Sequence, residues 1–392
     1  MNATTTLGPR APRLPGWAWA IWLALFALGS IGMFQRFAFG HRLAGYGSYV
    51  PWGLWVSAYI WLVGISAGAF LVCSFGIAFR VEPIKRIARI GLVTALIALV
   101  CGLFAIGLDL GHLFRAYAVF TRPNFGSMMT WMIWLYAAYA ILIVVQLYLM
   151  TFRSNSDHAV RKLAIVGIPL AIAFSGGVGA LFGTVSARPL WHSGLFPILF
   201  LTGALVSGTA LLLAITALLK PLPARALEET AGFLVRLLIG LLLLDVVLEW
   251  AEFSIPLWYG IGHDVGTLKL ILFGPFWWVF WIVHLALGTL VPLWALARSK
   301  SMALHGLAGL LVAVMFMAVR LNIVIPALVT PEIEGLQNSF RDHRLTFTYI
   351  PTLHEWLVLL FIVCLGLGLF AAAYKFLAGA TGKAGSPSHK EM

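Results

Sequence analysis

The chain has 392 residues, of which 61% are hydrophobic and only 10% are charged, and its formal net charge is +12. This composition excludes a soluble globular domain and predicts a polytopic membrane protein. Because the basic residues are dispersed along the chain, the positive charge does not indicate a nucleic-acid partner.

Apolar runs of about 20 residues are long enough to cross the hydrocarbon core of a bilayer as helices, and they are too long for the strands of a membrane barrel. Ten such runs occur in chain order, at 17–35, 53–79, 88–110, 127–151, 162–184, 195–219, 230–253, 273–297, 303–329 and 354–378. We therefore predict an all-α membrane protein with ten transmembrane helices. The first run follows two arginines, as a signal peptide would, but its length and the lack of a small-residue cleavage site predict a retained helix.

The connections between the predicted helices differ on the two sides of the membrane. Those on the side of the N-terminus carry roughly twice as many Lys and Arg residues as those on the opposite side, which places both termini in the cytoplasm by the positive-inside rule. Residues 1–16 and 379–392 are then cytoplasmic tails. The opposite connections are longer and rich in Trp, Tyr, Pro and His, as is typical of surfaces that bind partners.

A weak internal repeat relates two parts of the chain. The small-residue pattern of 64–71 recurs at 204–211, 140 residues later, and the same offset carries Asp109 onto Glu249 at the corresponding ends of two predicted helices. Small residues also recur wherever transmembrane helices pack closely, which is the alternative explanation. As a repeat, the pattern predicts two parallel four-helix bundles followed by two additional helices. The predicted bounds are 17–151, 152–298 and 299–378.

Ionisable side chains inside transmembrane helices are costly, so they are usually paired or functional. The candidates within the predicted helices are Asp109, Asp245, Glu249, Glu252, His284, Arg320, His354 and Glu355. Most of them lie in the outer half of the predicted bundle, toward the longer connections. The spacing of Asp245 and Glu249 places them on one helix face, and the spacing of Asp109 and His112 does the same.

Each candidate also has a structural interpretation. Glu249 and Arg320 can form a buried ion pair that holds the second bundle together, or they can relay protons. His284 can be a satisfied core histidine, Asp109 can anchor a helix end, and Glu355 can simply belong to the first turn of the last helix.

An acid and a histidine at the outer end of a helix bundle, beside Trp and Tyr, suit quinone chemistry. Quinone reduction and quinol oxidation couple two electrons to two protons, so the ring oxygens need proton-exchanging groups inside an apolar slot. We predict that Asp109, assisted by His112, exchanges protons with the quinone and that Trp52 and Trp131 form the walls of the slot. Further candidates for cofactor binding are Asp245, Glu249, His284, Arg320 and Glu355.

Several motifs, in their order along the chain, carry a resemblance to a known family. They are Pro51-Trp52-Gly53-Leu54-Trp55, Ser66-Ala67-Gly68-Ala69-Phe70, Asp109-Leu110-Gly111-His112, Arg122-Pro123-Asn124 with Ser127 and Trp131, Ser186-Ala187-Arg188-Pro189-Leu190-Trp191, and Arg320. Over residues 36–378 the sequence resembles the NrfD/PsrC family, the membrane subunits of polysulfide reductase-like complexes. The segment 349–352 with Glu355 and the ten-helix length are more similar to its branch of HybB-, Hmc- and Dsr-type subunits.

The resemblance implies a menaquinone or ubiquinone site near the periplasmic face of a bacterial inner membrane, with no haem or iron–sulfur cluster in this chain. It also implies electron exchange with a periplasmic ferredoxin-like iron–sulfur subunit, which serves a catalytic subunit of the molybdopterin, hydrogenase or cytochrome type. In the family the acid of the Asp-Leu-Gly motif belongs to the quinone region, and this role carries over to Asp109. Leu113 replaces a proline that often follows the motif.

Two other functions stay open on the sequence. A haem b cytochrome needs paired axial histidines, and only His284 lies deep within a predicted helix. A secondary transporter favours inverted repeats and helices broken at mid-membrane, whereas the repeat here is parallel. The three cysteines, Cys73, Cys101 and Cys364, fall singly in different helices and have no metal-ligand spacing.

Overall fold

The computed structural model describes residues 15–153, 156–260, 262, 264–333, 335–340, 342 and 344–384. Its ten long apolar helices are α1 (Gly16–Phe39), α2 (Leu54–Ala78), α3 (Ala88–Asp109), α4 (Met128–Phe152), α5 (Asp157–Gly183), α6 (Phe196–Leu219), α7 (Ala224–Tyr259), α8 (Val279–Arg298), α9 (Met302–Val329) and α10 (Leu353–Ala384). Short helices in the connections are Glu82–Lys85, Leu113–Arg115, Ala118–Thr121, Asp264–Leu272 and Leu336–Ser339. The prediction of a multi-pass, all-helical membrane protein is confirmed.

The helix bounds follow the apolar runs closely where the runs end at polar residues or glycine. α2, α3 and α6 begin and end within one residue of the predicted runs. α7 is longer than predicted, at 36 residues, because its first turns are polar helix outside the apolar run. In these turns Glu229 accepts a hydrogen bond from Arg86 at 2.6 Å. The predicted tails, 1–16 and 379–392, lie largely outside the described residues.

α2 lies at the centre of the bundle, where 94% of its most apolar window is buried by other helices. It packs against α3, α5, α6 and α9. Its contact with α6 depends on glycine, because a Cβ atom at Gly68 would collide with the carbonyl of Ala204 and one at Gly208 would collide with the backbone of Ala69. The small-residue pattern predicted as a repeat therefore forms the closest helix contact between the two halves of the protein.

The helices contact one another in the same order in two groups. In the first group α2 packs against α3 and α5, and α4 packs against α5. In the second group α6 packs against α7 and α9, and α8 packs against α9. We call α2–α5 the first half and α6–α9 the second half. These contacts differ from the predicted division, which placed the first helix in the bundle 17–151 and the ninth helix outside both bundles, in 299–378.

α1 packs mainly against α10, and its Arg36 also donates a hydrogen bond to α3. The two helices approach closely because α1 presents Gly29 and Gly32, where a Cβ atom would lie 2.7 Å from the Phe361 amide nitrogen and 2.6 Å from Leu357 Cβ. Trp22 adds a hydrogen bond from Nε1 to the carbonyl of Cys364, at 2.9 Å. α10 also packs against α3 and α2, so the α1–α10 pair borders the first half.

The longer connections lie together at one end of the bundle. They follow Phe39, Asp109, Gly183, Tyr259 and Val329, the last residues of α1, α3, α5, α7 and α9. We call this the loop-rich end, and it corresponds to the predicted outer face. The candidate residues at helix ends lie here, since Asp109 is the last residue of α3 and Glu355 is in the first turn of α10.

Candidate functional site

The carboxyl group of Asp109 lies at the loop-rich end, between α3 and the connection that follows α1. α3 ends at Asp109 because Leu110 has an extended backbone, with φ −65° and ψ 129°. Tyr46 donates a hydrogen bond from its hydroxyl to Asp109 Oδ1, at 3.0 Å. Arg36 of α1 donates to the carbonyls of Leu108, at 2.7 Å, and Leu110, at 3.2 Å. A cation that binds free carbonyls at a helix C-terminus stabilises that end of α3.

Aromatic and imidazole rings surround this acid. Trp55, which is fully buried at the start of α2, contacts Tyr46 edge-on, with ring centroids 6.1 Å apart. His41 and His354 also pack against Trp55, with ring centroids 6.1 Å and 5.6 Å from it. The guanidinium of Arg36 lies 5.8 Å from the centroid of Trp55. We call Arg36, His41, Tyr46, Trp55, Asp109 and His354 the Asp109 cluster.

His354 supplies a free nitrogen to the Asp109 cluster. Its Nδ1 lies 3.1 Å from Gln35 Oε1, which selects the tautomer with the proton on Nδ1. Nε2 is buried and has no hydrogen-bond partner among the described residues. Buried polar atoms are nearly always hydrogen-bonded, so an unpaired, buried ring nitrogen indicates a place for a ligand.

Protonation states at the rim of the Asp109 cluster follow from burial and neighbouring charge. Burial and the Asp109 carboxylate raise the pKa of Tyr46, so its hydroxyl stays protonated and keeps donating to Asp109. Burial and the nearby Arg36 guanidinium lower the pKa of His41 below its usual 6.5, so this ring is neutral at neutral pH. Arg36 is thus the fixed positive charge of the cluster.

Glu355 has a structural environment. Its fully buried carboxylate accepts hydrogen bonds from the Tyr349 hydroxyl at 2.5 Å and from the amides of Gly45 and Thr352, both at 3.0 Å. Glu355 also donates its own amide to Thr352 Oγ1, at 3.4 Å, so the two residues form a capping box at the start of α10. Glu355 therefore ties the connections after α1 and α9 to α10, beside the Asp109 cluster.

Three residues predicted to form the slot with Asp109 lie elsewhere. His112 is exposed, and the expected helical spacing from Asp109 does not apply because α3 ends at Asp109. Trp52 stacks on Trp191, with centroids 5.7 Å apart. Trp131 is 49% exposed and donates from Nε1 to the carbonyl of Phe125, at 2.8 Å.

Sequence reasoning missed most partners of Asp109. Arg36, His41, Tyr46 and Trp55 come from α1, its following connection and the start of α2, and they meet Asp109 only because α1 packs on α10 beside α3. The one signal available was a cation, Arg36, in the last turn of α1, where it can bind the free carbonyls of a neighbouring helix end.

The second half contains a separate polar cluster inside the bundle. Asp245 and Glu249 of α7, His284 of α8, and Arg320 and Asn322 of α9 line one cavity of about 50 Å³. The rest of its wall is mainly apolar. A cavity of this size admits small polar species and is too small for a quinone ring. We call these five residues the Asp245 cluster.

The spacing of the acids on α7 is confirmed, since Asp245, Glu249 and Glu252 line the same cavity. The partners differ from the predicted pair of Glu249 with Arg320. Glu249 Oε2 lies 3.5 Å from His284 Nε2, and no ion pair joins Glu249 to Arg320 within the part of the chain that the structure describes. The Arg320 guanidinium instead lies over the ring of Phe200, 4.6 Å from its centroid.

His284 reaches this cavity from an unusual backbone. The first part of α8, Val279–Leu290, is wound as a π-helix, and Thr289 Oγ1 donates to the carbonyl of His284 at 3.3 Å. Such widened turns are rare and are frequent at functional sites. Glu252, at the rim, accepts a hydrogen bond from the Ser193 hydroxyl at 3.0 Å.

The predicted internal repeat aligns Asp109 with Glu249, but the two acids lie at different distances from the ends of their helices. Asp109 is the last residue of α3, whereas α7 continues past Glu249 to Tyr259, so the two acids do not lie at corresponding helix ends. Asp109 is half-buried at the loop-rich end, and Glu249 lines the cavity of the Asp245 cluster.

Known proteins match most of this chain. The family described as "Polysulphide reductase, NrfD" matches residues 43–332, which span the first and second halves and exclude α1 and α10. A selenate reductase subunit of Mesobacillus selenatarsenatis is 34% identical, over 84% of this chain and 86% of that protein. The Hdr-like menaquinol oxidoreductase integral membrane subunit of Archaeoglobus fulgidus is 25% identical, over 92% and 93%. The integral membrane subunit of menaquinone reductase from Nitratidesulfovibrio vulgaris is 21% identical, over 67% and 68%.

Proposed function

Because the chain belongs to the polysulphide reductase NrfD family, we propose that it is the quinone-reactive membrane subunit of an oxidoreductase complex. We place the quinone head group at the Asp109 cluster. The names of the relatives from Archaeoglobus fulgidus and Nitratidesulfovibrio vulgaris favour menaquinone as the quinone. The roles that we give to Asp109 and to the loop-rich end are carried over from the family to this chain.

The observation that carries the proposal is the unpaired, buried Nε2 of His354, whose ring packs on Trp55, which also contacts Tyr46, the donor to Asp109. Tyr46 donates a hydrogen bond to Asp109 Oδ1, whereas Asp109 Oδ2 has no hydrogen-bond partner among the described residues. A carboxylate oxygen and an imidazole lone pair are both proton acceptors, which suits the two hydroxyl groups of a quinol. The ring of Tyr46, held against the fully buried Trp55, provides an aromatic surface beside the Asp109 carboxylate.

When bound, a quinol supplies two electrons and two protons. Asp109 and His354 Nε2 each accept one proton at the atoms named above. Tyr46 holds the Asp109 carboxylate in place through its hydrogen bond, and Arg36 keeps a positive charge near the acid without forming an ion pair with it. The half-buried position of Asp109 gives its proton a short way to the solvent at the loop-rich end.

The remaining parts of the proposal concern location and partners. We infer that the loop-rich end faces the periplasm of a bacterial inner membrane, with both termini in the cytoplasm, because Lys and Arg are more frequent at the other end. A ferredoxin-like iron–sulfur subunit would dock on the long connections and pass electrons to a catalytic subunit. The similarity to a protein named as a selenate reductase subunit supports a complex of this kind.

The test is turnover of quinol by the assembled complex that carries Asp109→Asn, with His112→Gln as the control. We expect the Asp109 variant to lose turnover by about 100-fold or more, as for removal of a general base, and the control to keep it, because His112 is exposed and outside the cluster. Partner chains should co-purify with both variants. Full turnover in an assembled Asp109→Asn complex would overturn the proposal.

A further inference from the structure

The Asp245 cluster is not used by the proposed quinone site, and its composition points to a ligand of its own. Asp245, His284, Arg320 and Asn322 are all at least 94% buried. Asn322 lines the cavity, and both its amide nitrogen and its amide oxygen lack hydrogen-bond partners among the described residues. A buried amide with both ends unpaired is unusual, so the cavity is built for an occupant that donates or accepts hydrogen bonds.

Charge balance limits what this occupant can be. Two carboxyl groups, Asp245 and Glu249, face one fixed positive charge, Arg320, inside an apolar wall. The Thr202 hydroxyl, 3.4 Å from Asp245 Oδ1, adds a donor without charge. If both acids were ionised, the cavity would hold one uncompensated negative charge, which is costly away from water. One additional positive charge makes the cavity neutral.

The ligand atoms could suggest a metal ion, since one atom each of Asp245, Glu249 and His284 lies within 4.8 Å of the others. A divalent ion would leave the cavity with one excess positive charge next to Arg320. A monovalent alkali ion makes the charge neutral but prefers an all-oxygen shell, in which an imidazole nitrogen is a poor ligand. A proton makes the cavity neutral and suits both carboxylate and imidazole.

We infer that the Asp245 cluster is a proton-binding site, in which Asp245 and Glu249 together hold one exchangeable proton against the charge of Arg320. The proton removes the repulsion between two acids one helical turn apart on α7. A proton on His284 would also make the cavity neutral, but it would leave both acids ionised one helical turn apart on α7. Asn322 complements the acid pair, because its oxygen can accept from a protonated carboxyl and its nitrogen can donate to a carboxylate.

The other groups that face Asp245 and Glu249 do not change the charge balance of the cavity. α6 contributes Thr202 and Phe200, and Gly64 of α2 lies close to the Arg320 guanidinium. Glu252 lies at the partly exposed rim and is bound by Ser193. The short helix Asp264–Leu272 contributes the apolar Ile271 to the wall of the cavity. Its Asp264 interacts electrostatically with Glu252 at the rim.

Infrared difference spectroscopy of the purified complex, exchanged from water into D₂O at neutral pH, tests this site. The signal is the deuterium-sensitive carbonyl stretch of a protonated carboxyl group. If one proton is shared because of charge balance, Asp245→Asn and Glu249→Gln should each abolish the same band, since either variant leaves one carboxylate against Arg320. The control Glu252→Gln should keep it.

Other outcomes would overturn the inference. A band that disappears in only one of the two variants would mean that a single acid is protonated by itself, without sharing. No difference band, or an imidazolium signal that is lost with His284→Gln, would place the proton elsewhere. Stoichiometric zinc in the wild-type complex that is lost in Glu249→Gln would show a metal site instead.

A substitution of the cation gives a second, independent measurement. Removing the positive charge with Arg320→Gln should let both acids hold protons, so the integrated carboxyl band should about double relative to the wild type. An unchanged band in a folded Arg320→Gln complex would contradict the charge-balance argument. None of these readouts requires quinol turnover, so they stand or fall separately from the proposed quinone site.

Discussion

Asp109 in the first half and Glu249 in the second half, which are 140 residues apart in the sequence, lie in different environments. Asp109 ends α3 at the surface of the loop-rich end, where Tyr46 and Arg36 reach it from outside the first half. Glu249 lies within α7, whose helix continues to Tyr259, and its carboxylate lies 3.5 Å from His284 Nε2. Under the proposed function, the end of α3 at Asp109 is what lets this acid, unlike Glu249, meet an exchangeable ligand.

The helices outside the repeat complete the first site. The family match ends before α10 and begins after α1, yet Arg36 and His354 of the Asp109 cluster come from these two helices. In the second half, the polar groups of the Asp245 cluster and their donor Thr202 come from α6, α7, α8 and α9. The helices of the second half therefore supply the Asp245 cluster by themselves, whereas the Asp109 cluster also needs α1 and α10.

The largest effect is expected where the two halves touch. Gly68→Leu or Gly208→Leu should each destabilise the protein by at least about 3 kcal/mol, because a side chain at either position would collide with the facing backbone. The measurement is thermal unfolding in detergent, with Gly240→Ala as control, since nothing lies within 4 Å of a Cβ atom there. A different loss of stability in the two variants would show that the two halves do not contribute equally to this contact.

Glu355 should be the next most sensitive position. Glu355→Gln replaces one acceptor oxygen with a donor that faces other donors, so we expect a loss of about 2 kcal/mol in the free energy of unfolding. Glu332→Gln is the matched control, because Glu332 pairs with Arg188 at 2.9 Å but is 44% exposed and should contribute less than about 1 kcal/mol. Equal losses would contradict the structural role of Glu355.

Removal of the hydroxyl donor to each acid compares the two acids directly. Tyr46→Phe deletes the donor to Asp109, and Thr202→Val deletes the donor to Asp245. We expect quinol turnover by the assembled complex to fall about tenfold in the first variant, as one lost hydrogen bond of about 1 to 1.5 kcal/mol predicts. The second variant should keep turnover within a factor of about two. A reversed order would move the quinone site to the second half.

The smallest effect concerns pH. The pKa of His41 is lower in the folded protein than its usual 6.5, because burial and Arg36 disfavour its charged form. As pH falls, His41 therefore binds a proton at a higher pH in the unfolded chain than in the folded chain. Its contribution to the free energy of unfolding is complete above pH 6.5 and declines as pH falls toward the lowered pKa. The melting temperature of His41→Gln should fall less over this range. An identical decline in both proteins would exclude His41 as the cause.

The sequence predicts the helices well and the site only in part. Apolar length alone locates ten spans, because lipid imposes the same requirement on each helix separately. The acid Asp109 is also found from the sequence, since an ionisable residue at the end of an apolar run is costly. Its partners are not, because the packing of α1 on α10 depends on small surfaces such as Gly29 and Gly32. The expectation that Asp109 and His112 share one helix face was wrong, because α3 ends at Asp109.

The most direct test of the central claim is to locate the bound quinone itself. A photoreactive menaquinone analogue, activated on the purified complex and mapped by peptide mass spectrometry, should label the segments around Arg36 to Trp55, Asp109 and His354. The label should be displaced by excess menaquinone. Displaceable label confined to the peptides that line the Asp245 cluster, with none at the Asp109 cluster, would contradict the account.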